Sequence, residues 1–209
     1  MHEDSTFRKN NLKFALETDK SMNIPVITSN GKIIVRPDTT WERDNEDLYL
    51  PDFVNSLSWT PVFFARVSKP GRWIGPAFAS RYYDGVGYGV LLYPDDMLDG
   101  SEEGFACASC LDKTSFLPFP LYNPITLGVE GNEFVLFRDG IEIFRTAKGS
   151  REMAENALVL ASSRCYLRVG DLVAVELQPR QKLITRTEES ARVNGTWCEN
   201  PTVDFKIIF

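Results

Sequence analysis

The sequence predicts an α+β fold in which β-structure predominates. Three observations indicate this: short runs of β-branched and aromatic residues recur along the chain, glycine and proline separate them at short intervals, and only two stretches have helical character. The chain has 209 residues, of which 43% are hydrophobic and 25% charged, which suffices for one core of ordinary size. We expect a polar N-terminal segment over residues 1–24 and a single domain over residues 25–209.

Seven runs have the composition of β-strands, and they cover residues 32–36, 62–67, 86–93, 133–145, 171–177, 182–186 and 202–209. Asp139-Gly140 divides the run at 133–145 into two apolar halves and predicts a type I′ hairpin turn, in which both central residues have positive φ. The run at 62–67 follows Pro61, which cannot donate to a sheet ladder. The pattern therefore predicts a strand over residues 62–67, with Pro61 at a strand start, at a sheet edge or at a bulge.

Two stretches predict short helices. Ser150 has the side chain of an N-cap, and apolar residues recur behind it at helical spacing, which predicts a helix that packs on a sheet. These apolar residues are Met153, Ala157, Leu158 and Ala161. In residues 75–85, Pro76 suits a first helical turn and Gly85 suits a C-terminal cap.

The charge balance and the terminal sequence exclude several classes of protein. A formal net charge of −6 argues against binding to nucleic acid, because phosphate contacts need a dense basic surface. No apolar run reaches the roughly 18 residues that a membrane-spanning helix needs. The N-terminal residues lack the apolar centre of a secretory signal. We expect a cytoplasmic protein with no membrane partner.

Cys107 and Cys110 have the C-x-x-C spacing of redox and zinc sites. A zinc site needs a second pair of ligands, but the only histidine of the chain is His2. A thioredoxin-like motif opens a helix, whereas three prolines follow in residues 111–124. The preferred interpretation is two reduced, partly buried thiols, and redox function is the less favoured alternative.

Groups for acid–base or nucleophilic catalysis are few. The acidic residues cluster at 43–47, 94–103 and 187–190, a distribution typical of solvated loops. A serine nucleophile lacks a histidine base in the body of the chain. The glycines of residues 85–89 lie in a strand-like run and not between a strand and a helix, which argues against a phosphate-binding loop.

The order of several sequence blocks resembles that of the fumarylacetoacetate hydrolase (FAH) family, in particular its bacterial small-domain members. The blocks are KIIVRPDTTWERDNEDLYLPDF (32–53), VFFARVSKPGRWI (62–74), AFASRYYDGVGYGVLLYPDDML (77–98), the hairpin at 134–145, the helix at 151–163, YLRVGDLV (166–173) and VDFKIIF (203–209). The resemblance implies a mixed β-roll, usually dimeric. It also implies cleavage, hydration, isomerisation or decarboxylation of small 2-keto or 1,3-diketo acids with Mg²⁺, Mn²⁺ or Ca²⁺.

The resemblance places the family's metal-binding positions on residues that cannot bind a metal. The two carboxylates of the family's Glu-x-Glu motif correspond to Thr60 and Val62, and no acidic residue lies between Asp52 and Asp84. The third carboxylate corresponds to Leu91. A divalent cation needs hard oxygen ligands. We therefore expect no metal cofactor.

Other positions that are characteristic of the family also differ. Asp95-Asp96 stands where the family has Arg-Asp, and the family's lysine corresponds to Ser109. The family's Gly-Thr-Pro turn falls near residues 176–178. Its N-terminal histidine has no counterpart in NNLKFALE, residues 10–17.

Two functional classes follow from the resemblance. The first is a catalytically inactive member, a pseudoenzyme, that serves as a binding or assembly subunit. It would form a homodimer or a heterodimer with a related chain, with a small keto acid as candidate ligand. The second is an active hydrolase, isomerase or decarboxylase with a rebuilt site. Its candidate residues are Asp84, Asp95, Asp96, Asp112 and Lys113.

Overall fold

Thirteen β-strands dominate residues 22–209, the part of the chain that the computed structural model describes. The strands are β1 (Asn23–Ile27), β2 (Ile33–Pro37), β3 (Trp41–Glu42), β4 (Leu48–Tyr49), β5 (Ser56–Val67), β6 (Tyr83–Pro94), β7 (Ser115–Phe116), β8 (Phe134–Arg138), β9 (Ile141–Thr146), β10 (Leu172–Glu176), β11 (Gln181–Thr185), β12 (Ser190–Trp197) and β13 (Asn200–Ile208). The α-helices of this part are α1 (Glu102–Ala108) and α2 (Arg151–Arg164). Its 3₁₀ helices are Asp38–Thr40, Pro76–Arg81, Asp95–Met97, Pro124–Thr126 and Arg186–Glu188.

The strands form two mixed sheets. The larger has eight strands in the order β2-β1-β10-β5-β6-β7-β3, with β11 also paired to β5. The smaller has five strands in the order β4-β13-β12-β8-β9. Three pairs are parallel, β1 with β10, β3 with β7 and β4 with β13. The predicted α+β fold with a predominance of β-structure is confirmed.

The central strands β5 and β6 are buried on both faces. One face of β5 contributes Trp59, Phe63 and Ala65 to the larger hydrophobic core. The other face contributes Val62 and Phe64 to a second, smaller core. Side chains alternate between the two faces of a strand, so a strand buried on both faces is apolar at successive positions. This is why β5 has a continuous apolar sequence.

Aromatic contacts join the two sheets. The ring of Tyr88 on β6 stacks on Phe134 of β8 with centroids 4.7 Å apart and meets the edge of Trp197 of β12 at 4.9 Å. Phe116 of β7 stacks on Phe205 of β13. Such pairs contribute about 0.5–1.5 kcal/mol each beyond the burial of their area. The larger core therefore lies between the two sheets.

All seven strand-like runs contain strands, and the predicted hairpin is confirmed. Asp139 and Gly140 have φ of 50° and 81°, as a type I′ turn requires. Five strands, β1, β3, β4, β7 and β12, were not predicted. Of these, β12 is eight residues long, but its sequence SARVNGTW is rich in residues with low strand propensity.

The strand predicted over residues 62–67 is confirmed as part of β5, which begins earlier, at Ser56, so that Pro61 lies inside the strand. The carbonyl oxygen of Pro61 accepts a hydrogen bond from the Leu177 N–H at 2.9 Å, so the backbone of Pro61 faces the side of β10 and β11. The pairing of β10 with β5 ends at Val62, and that of β11 begins at Trp59. Pro61 therefore occupies the gap between two partner strands, where no ladder donor is needed.

The predicted helix behind Ser150 is confirmed as α2. The Ser150 side chain accepts a hydrogen bond from the Met153 N–H at 3.0 Å. The predicted apolar residues Ala157, Leu158 and Ala161 are buried in the larger core. Met153 is partly buried against the same core.

The other helical prediction is only partly correct. Residues Pro76–Arg81 form a 3₁₀ helix whose C-cap is Tyr82. Gly85 does not cap this helix, because it already lies within β6. Helix α1 was not predicted, although Ser101 caps it by accepting a hydrogen bond from the Gly104 N–H at 2.9 Å.

The glycines of residues 85–89 lie inside β6, as predicted. Gly89 is opposite Val62 of β5, and a Cβ atom at this position would overlap the carbonyl oxygen of Phe116. The close approach of β7 therefore requires a residue without a side chain here.

The predictions for the N-terminus fall mostly outside the described residues. His2, the segment NNLKFALE and most of the polar segment 1–24 belong to residues 1–21. Between residues 22 and 209 there is no helix with the length and apolar character that crossing a membrane requires.

Candidate functional site

The fold brings together three of the residues that, by the resemblance, correspond to the family's metal ligands. Thr60 on β5 is directly opposite Leu91 on β6, and Val62 is opposite Gly89. Residues two apart on a strand project from the same face, so the three side chains lie on one face of the larger sheet. Thr60, Val62 and Leu91 are fully buried.

The surroundings of these three residues are largely apolar. Val62 and Leu91 belong to the second hydrophobic core, whose other buried members are Ile24, Val26, Phe64, Tyr93, Ala108, Leu117, Leu172 and Ala174. The hydroxyl of Thr60 donates a hydrogen bond to the carbonyl oxygen of Gln178 at 2.7 Å. The Thr60 hydroxyl is therefore bonded to the backbone, and packed apolar side chains fill the space around it.

Ser109, the fourth assigned residue, lies at the C-terminal end of α1 and is buried. Its hydroxyl donates to the carbonyl oxygen of Phe105, one turn earlier, at 2.7 Å. Ala108, its neighbour, belongs to the same small core as Val62 and Leu91. Ser109 thus lies beside this core and serves as a local structural residue of the helix end.

A buried arginine that the sequence analysis missed lies against this core. Arg36 of β2 is fully buried, and its Nε donates to the carbonyl oxygen of Ser109 at 2.9 Å. Its Nη2 donates to the carbonyl oxygen of Leu92 at 2.9 Å and to the hydroxyl of Thr114 at 2.7 Å. Desolvation lowers the pKa of Arg36, while the nearby Tyr93 and Glu176 raise it. Its Nη1 has no hydrogen-bond partner.

Tyr93 and Glu176 extend this polar cluster. The Tyr93 hydroxyl donates to Glu176 Oε1 at 2.8 Å, and the Ser29 N–H donates to Glu176 Oε2 at 2.8 Å. Burial raises the pKa of Tyr93 far above its usual value, so the phenol remains a neutral donor. The guanidinium carbon of Arg36 lies 4.8 Å from the centroid of the Tyr93 ring. One carboxylate therefore lies among groups that attract negative charge.

The surface-facing side of the cluster is covered by α1 and Arg180. The guanidinium of Arg180 lies over two rings, 5.0 Å from the centroid of Tyr93 and 4.6 Å from that of Phe105. The rings of Phe105 and Tyr93 stack with centroids 5.8 Å apart. Cation–π contacts of this kind contribute about 0.5–1 kcal/mol at exposed positions.

The residues at this site do not fit a divalent cation. Mg²⁺ and Ca²⁺ take several oxygen ligands, whereas Thr60, Val62 and Leu91 offer one hydroxyl that is already bonded. The unpartnered Nη1 of Arg36 is a positively charged donor, which repels a cation. Among residues 22–209 there is no group of three or more His, Cys, Asp or Glu side chains that could hold a metal ion.

The structure separates the residues proposed for a rebuilt catalytic site. Asp84, at the start of β6, pairs with Arg66 through two hydrogen bonds of 2.9 Å. Asp95 follows the end of β6 and accepts a hydrogen bond from the Ser56 hydroxyl at 2.8 Å. The two carboxylates lie at opposite ends of β6, with almost the whole length of this strand between them. They cannot act on one substrate.

The remaining candidates also have local roles. Asp96 accepts hydrogen bonds from the backbone N–H of Asn55 at 2.7 Å and from its side-chain amide at 2.9 Å. Desolvation raises the pKa of Asp96, but the hydrogen bonds from Asn55 and the Ser56 N–H together outweigh it, and the net pKa is lowered. Lys113 pairs with Glu46 on the surface, and Asp112 is exposed beside it. Asp96 and Lys113 thus each contact a nearby partner, and Asp112 faces solvent.

The prediction that Cys107 and Cys110 are partly buried is wrong, because both are exposed at the end of α1. Both are free thiols. Within FACASC, Ala108 is buried in the small core and Phe105 packs against it, whereas neither cysteine belongs to this core. The thiols lie on the solvent side of the helix end.

A signal for the polar cluster was present in the sequence. Arg36 and Glu176 are each a charged residue inside an otherwise apolar strand, in IIVRP of β2 and LVAVE of β10. Charged residues are rarely buried without partners. A lone charge in such a strand therefore indicates a buried polar contact, although the sequence cannot name the partner.

Comparison with solved structures gives clear similarities in fold at low sequence identity. A protein from Yersinia pestis CO92 assigned to the fumarylacetoacetate hydrolase family has a TM-score of 0.73 and 15% identity over 90% of this chain and 93% of that chain. The fumarylpyruvate hydrolase from Pseudomonas aeruginosa, in complex with Mn²⁺ and pyruvate, has a TM-score of 0.71 and 15% identity over 91% and 90%.

The chain has the fumarylacetoacetate hydrolase fold. The 5-carboxymethyl-2-hydroxymuconate delta-isomerase from Mycobacterium smegmatis shares the FAH fold with a TM-score of 0.72 and 15% identity, over 90% of this chain and 80% of that chain. No protein-family model and no curated protein matches the sequence. Hydrolases and an isomerase thus share the FAH fold with this chain.

Removal of Arg36 should destabilise the protein much more than removal of a surface arginine. Arg36→Met leaves the carbonyl oxygens of Ser109 and Leu92 and the Thr114 hydroxyl without their donor, and we expect a loss of about 3 kcal/mol in the free energy of unfolding. Urea denaturation measures this. The control is Arg66→Met, which breaks a partly exposed ion pair with Asp84 and should cost less than about 1 kcal/mol. Equal losses for the two variants would contradict the structural role of Arg36.

A triple substitution tests whether Thr60, Val62 and Leu91 occupy metal-ligand positions. The variant Thr60→Glu/Val62→Glu/Leu91→Asp should be destabilised by several kcal/mol, because it buries three like charges, and Mg²⁺ should restore part of the loss. Thermal unfolding with and without Mg²⁺ measures the restoration. The control is Thr60→Gln/Val62→Gln/Leu91→Asn, which has similar size without the charges and should not respond. A folded acidic variant that ignores Mg²⁺ would refute the assignment.

Proposed function

We propose that this FAH-fold chain is a pseudoenzyme that acts as a binding or assembly subunit without metal-dependent catalysis. The observation that supports this most strongly is the fully buried Thr60–Leu91 pair with Val62 beside it, on the face where the resemblance places the metal ligands. Metal-assisted chemistry on keto acids depends on a cation that stabilises an enolate or oxyanion. Residues that cannot bind the cation remove this stabilisation.

The charge of the neighbouring cluster supports the same proposal. Arg36 and Arg180 each lie within about 5 Å of the Tyr93 ring, and Glu176 is the carboxylate that contacts Tyr93. Two guanidinium groups and one carboxylate therefore lie around the Tyr93 ring, in contrast to a site of three carboxylates. A small keto acid, whose carboxylate is negative, is the ligand class that this charge favours.

Assembly with a second chain is the role that the fold retains. The resemblance implies a dimeric family, and we propose a homodimer or a heterodimer with a related chain. Several large apolar side chains are exposed in the isolated chain, among them Tyr49 (72%), Ile141 (71%) and Trp73 (67%). Single exposed apolar side chains are ordinary on a protein surface, so the proposed assembly rests on the resemblance.

The proposal predicts no response to metal and no turnover. Millimolar Mg²⁺, Mn²⁺ or Ca²⁺ should leave the melting temperature of the wild-type protein unchanged, because a ligand stabilises a protein only when it binds the folded state. The same preparation should release no pyruvate from an acylpyruvate and should not decarboxylate oxaloacetate. A metal-dependent shift of several degrees, or turnover that persists after repurification, would show an active enzyme instead.

Association should be measurable by sedimentation. Analytical ultracentrifugation of the purified chain should give a homodimer, or a monomer that forms a dimer when a related FAH-fold chain is added. The sedimentation coefficient measures this at several concentrations. A strict monomer under both conditions would contradict the assembly role. Ligand binding would then be the only role left in the proposal.

A further inference from the structure

Two exposed thiols lie together at the C-terminal end of α1. Cys107 belongs to the last turn of the helix, and Cys110 follows Ser109, the C-cap. The other cysteines, Cys165 and Cys198, are less exposed, and desolvation raises the pKa of each. Disulfide exchange requires an accessible thiolate. The accessible pair is therefore Cys107 and Cys110.

The backbone places this pair in a geometry that permits a disulfide. The Cys110 N–H donates to the Cys107 carbonyl oxygen at 3.0 Å, which closes a turn between residues i and i+3. This turn brings the backbones of the two cysteines close together. The Cα atoms that flank such a turn are less than about 7 Å apart, and a disulfide needs about 4.4–6.8 Å.

We propose that Cys107 and Cys110 form a reversible disulfide by exchange with a small-molecule disulfide. The thiolate of one cysteine attacks a sulfur of the small disulfide, whose S–S bond breaks and releases one thiol after protonation. The second cysteine then attacks the protein-bound sulfur of the mixed disulfide and displaces the other thiol. The protein loses two hydrogen atoms, and the small disulfide is reduced to two thiols.

The bond would lock the helix end that covers the polar cluster. The ring closed by the disulfide contains Ser109, whose carbonyl oxygen accepts the Arg36 Nε at 2.9 Å. Phe105, in the preceding turn, stacks on Tyr93. Oxidation would thus fix α1 in the position that covers the second core. This inference does not depend on whether the site is catalytic.

The test treats the full-length reduced protein with oxidised glutathione and measures intact mass and peptide linkage. The wild type should lose two hydrogen atoms, retain no glutathione at residues 107–110, and recover its mass with dithiothreitol. Cys110→Ser and Cys107→Ser should each retain one glutathione on the remaining cysteine of the pair, because the second step is blocked.

The control is Cys165→Ser/Cys198→Ser, which should form the same internal disulfide as the wild type. Wild-type protein that stays unmodified at Cys107 and Cys110, or that retains glutathione on both, would overturn the proposal. An internal disulfide in Cys107→Ser/Cys110→Ser, together with no Cys107–Cys110 linkage in the wild-type peptides, would also overturn it, since Cys165 and Cys198 would then be the reactive pair. Melting temperatures of all variants verify that they fold.

Discussion

The buried guanidinium of Arg36 holds the curled form of the larger sheet. β2 is an edge strand of that sheet, and β6 lies four strands away in the strand order, yet Arg36 on β2 donates to the Leu92 carbonyl oxygen on β6 at 2.9 Å. This contact is feasible only because the sheet curls around the second core. The same side chain binds the end of α1 at Ser109 and the segment before β7 at Thr114. Hydrogen bonds from a charged donor to buried acceptors contribute roughly 1.5–3 kcal/mol each.

The same interaction shapes the chemistry of the candidate site. A buried arginine cannot lose its charge, so the face that it covers carries a permanent positive charge. Glu176 accepts hydrogen bonds from the Tyr93 hydroxyl and from the Ser29 N–H. It forms no ion pair with Arg36 in the part of the chain that the structure describes. Val62 and Leu91 fill the remaining space with apolar groups. The chain thus has a buried guanidinium beside the positions where the resemblance expects carboxylates and a metal ion. The proposed loss of metal-dependent catalysis rests on Thr60, Val62 and Leu91 at those positions.

Helix α1 connects this buried cluster to the solvent. Its inner side contributes Ala108 to the second core and Phe105 to the stack on Tyr93, while its outer side presents Cys107. A chemical change at the outer side can therefore act on the acceptor that Arg36 uses. The proposed disulfide would affect how rigidly α1 covers the polar cluster. The proposed pseudoenzyme role concerns the chemistry of the cluster, so separate experiments test the two.

The sequence by itself determined the elements that depend on local composition. The hairpin at Asp139-Gly140, helix α2 behind Ser150, and the absence of carboxylates at Thr60 and Val62 all follow from residue identity and short-range periodicity. The tertiary structure decided what depends on distant contacts. Arg36 and Leu92 are 56 positions apart in the chain, and Pro61 is accommodated only because β10 and β11 leave a gap beside it. The curvature of the sheet decides whether a charge is buried, whether a thiol is exposed and which face of a strand points to the core. Local sequence patterns do not encode that curvature.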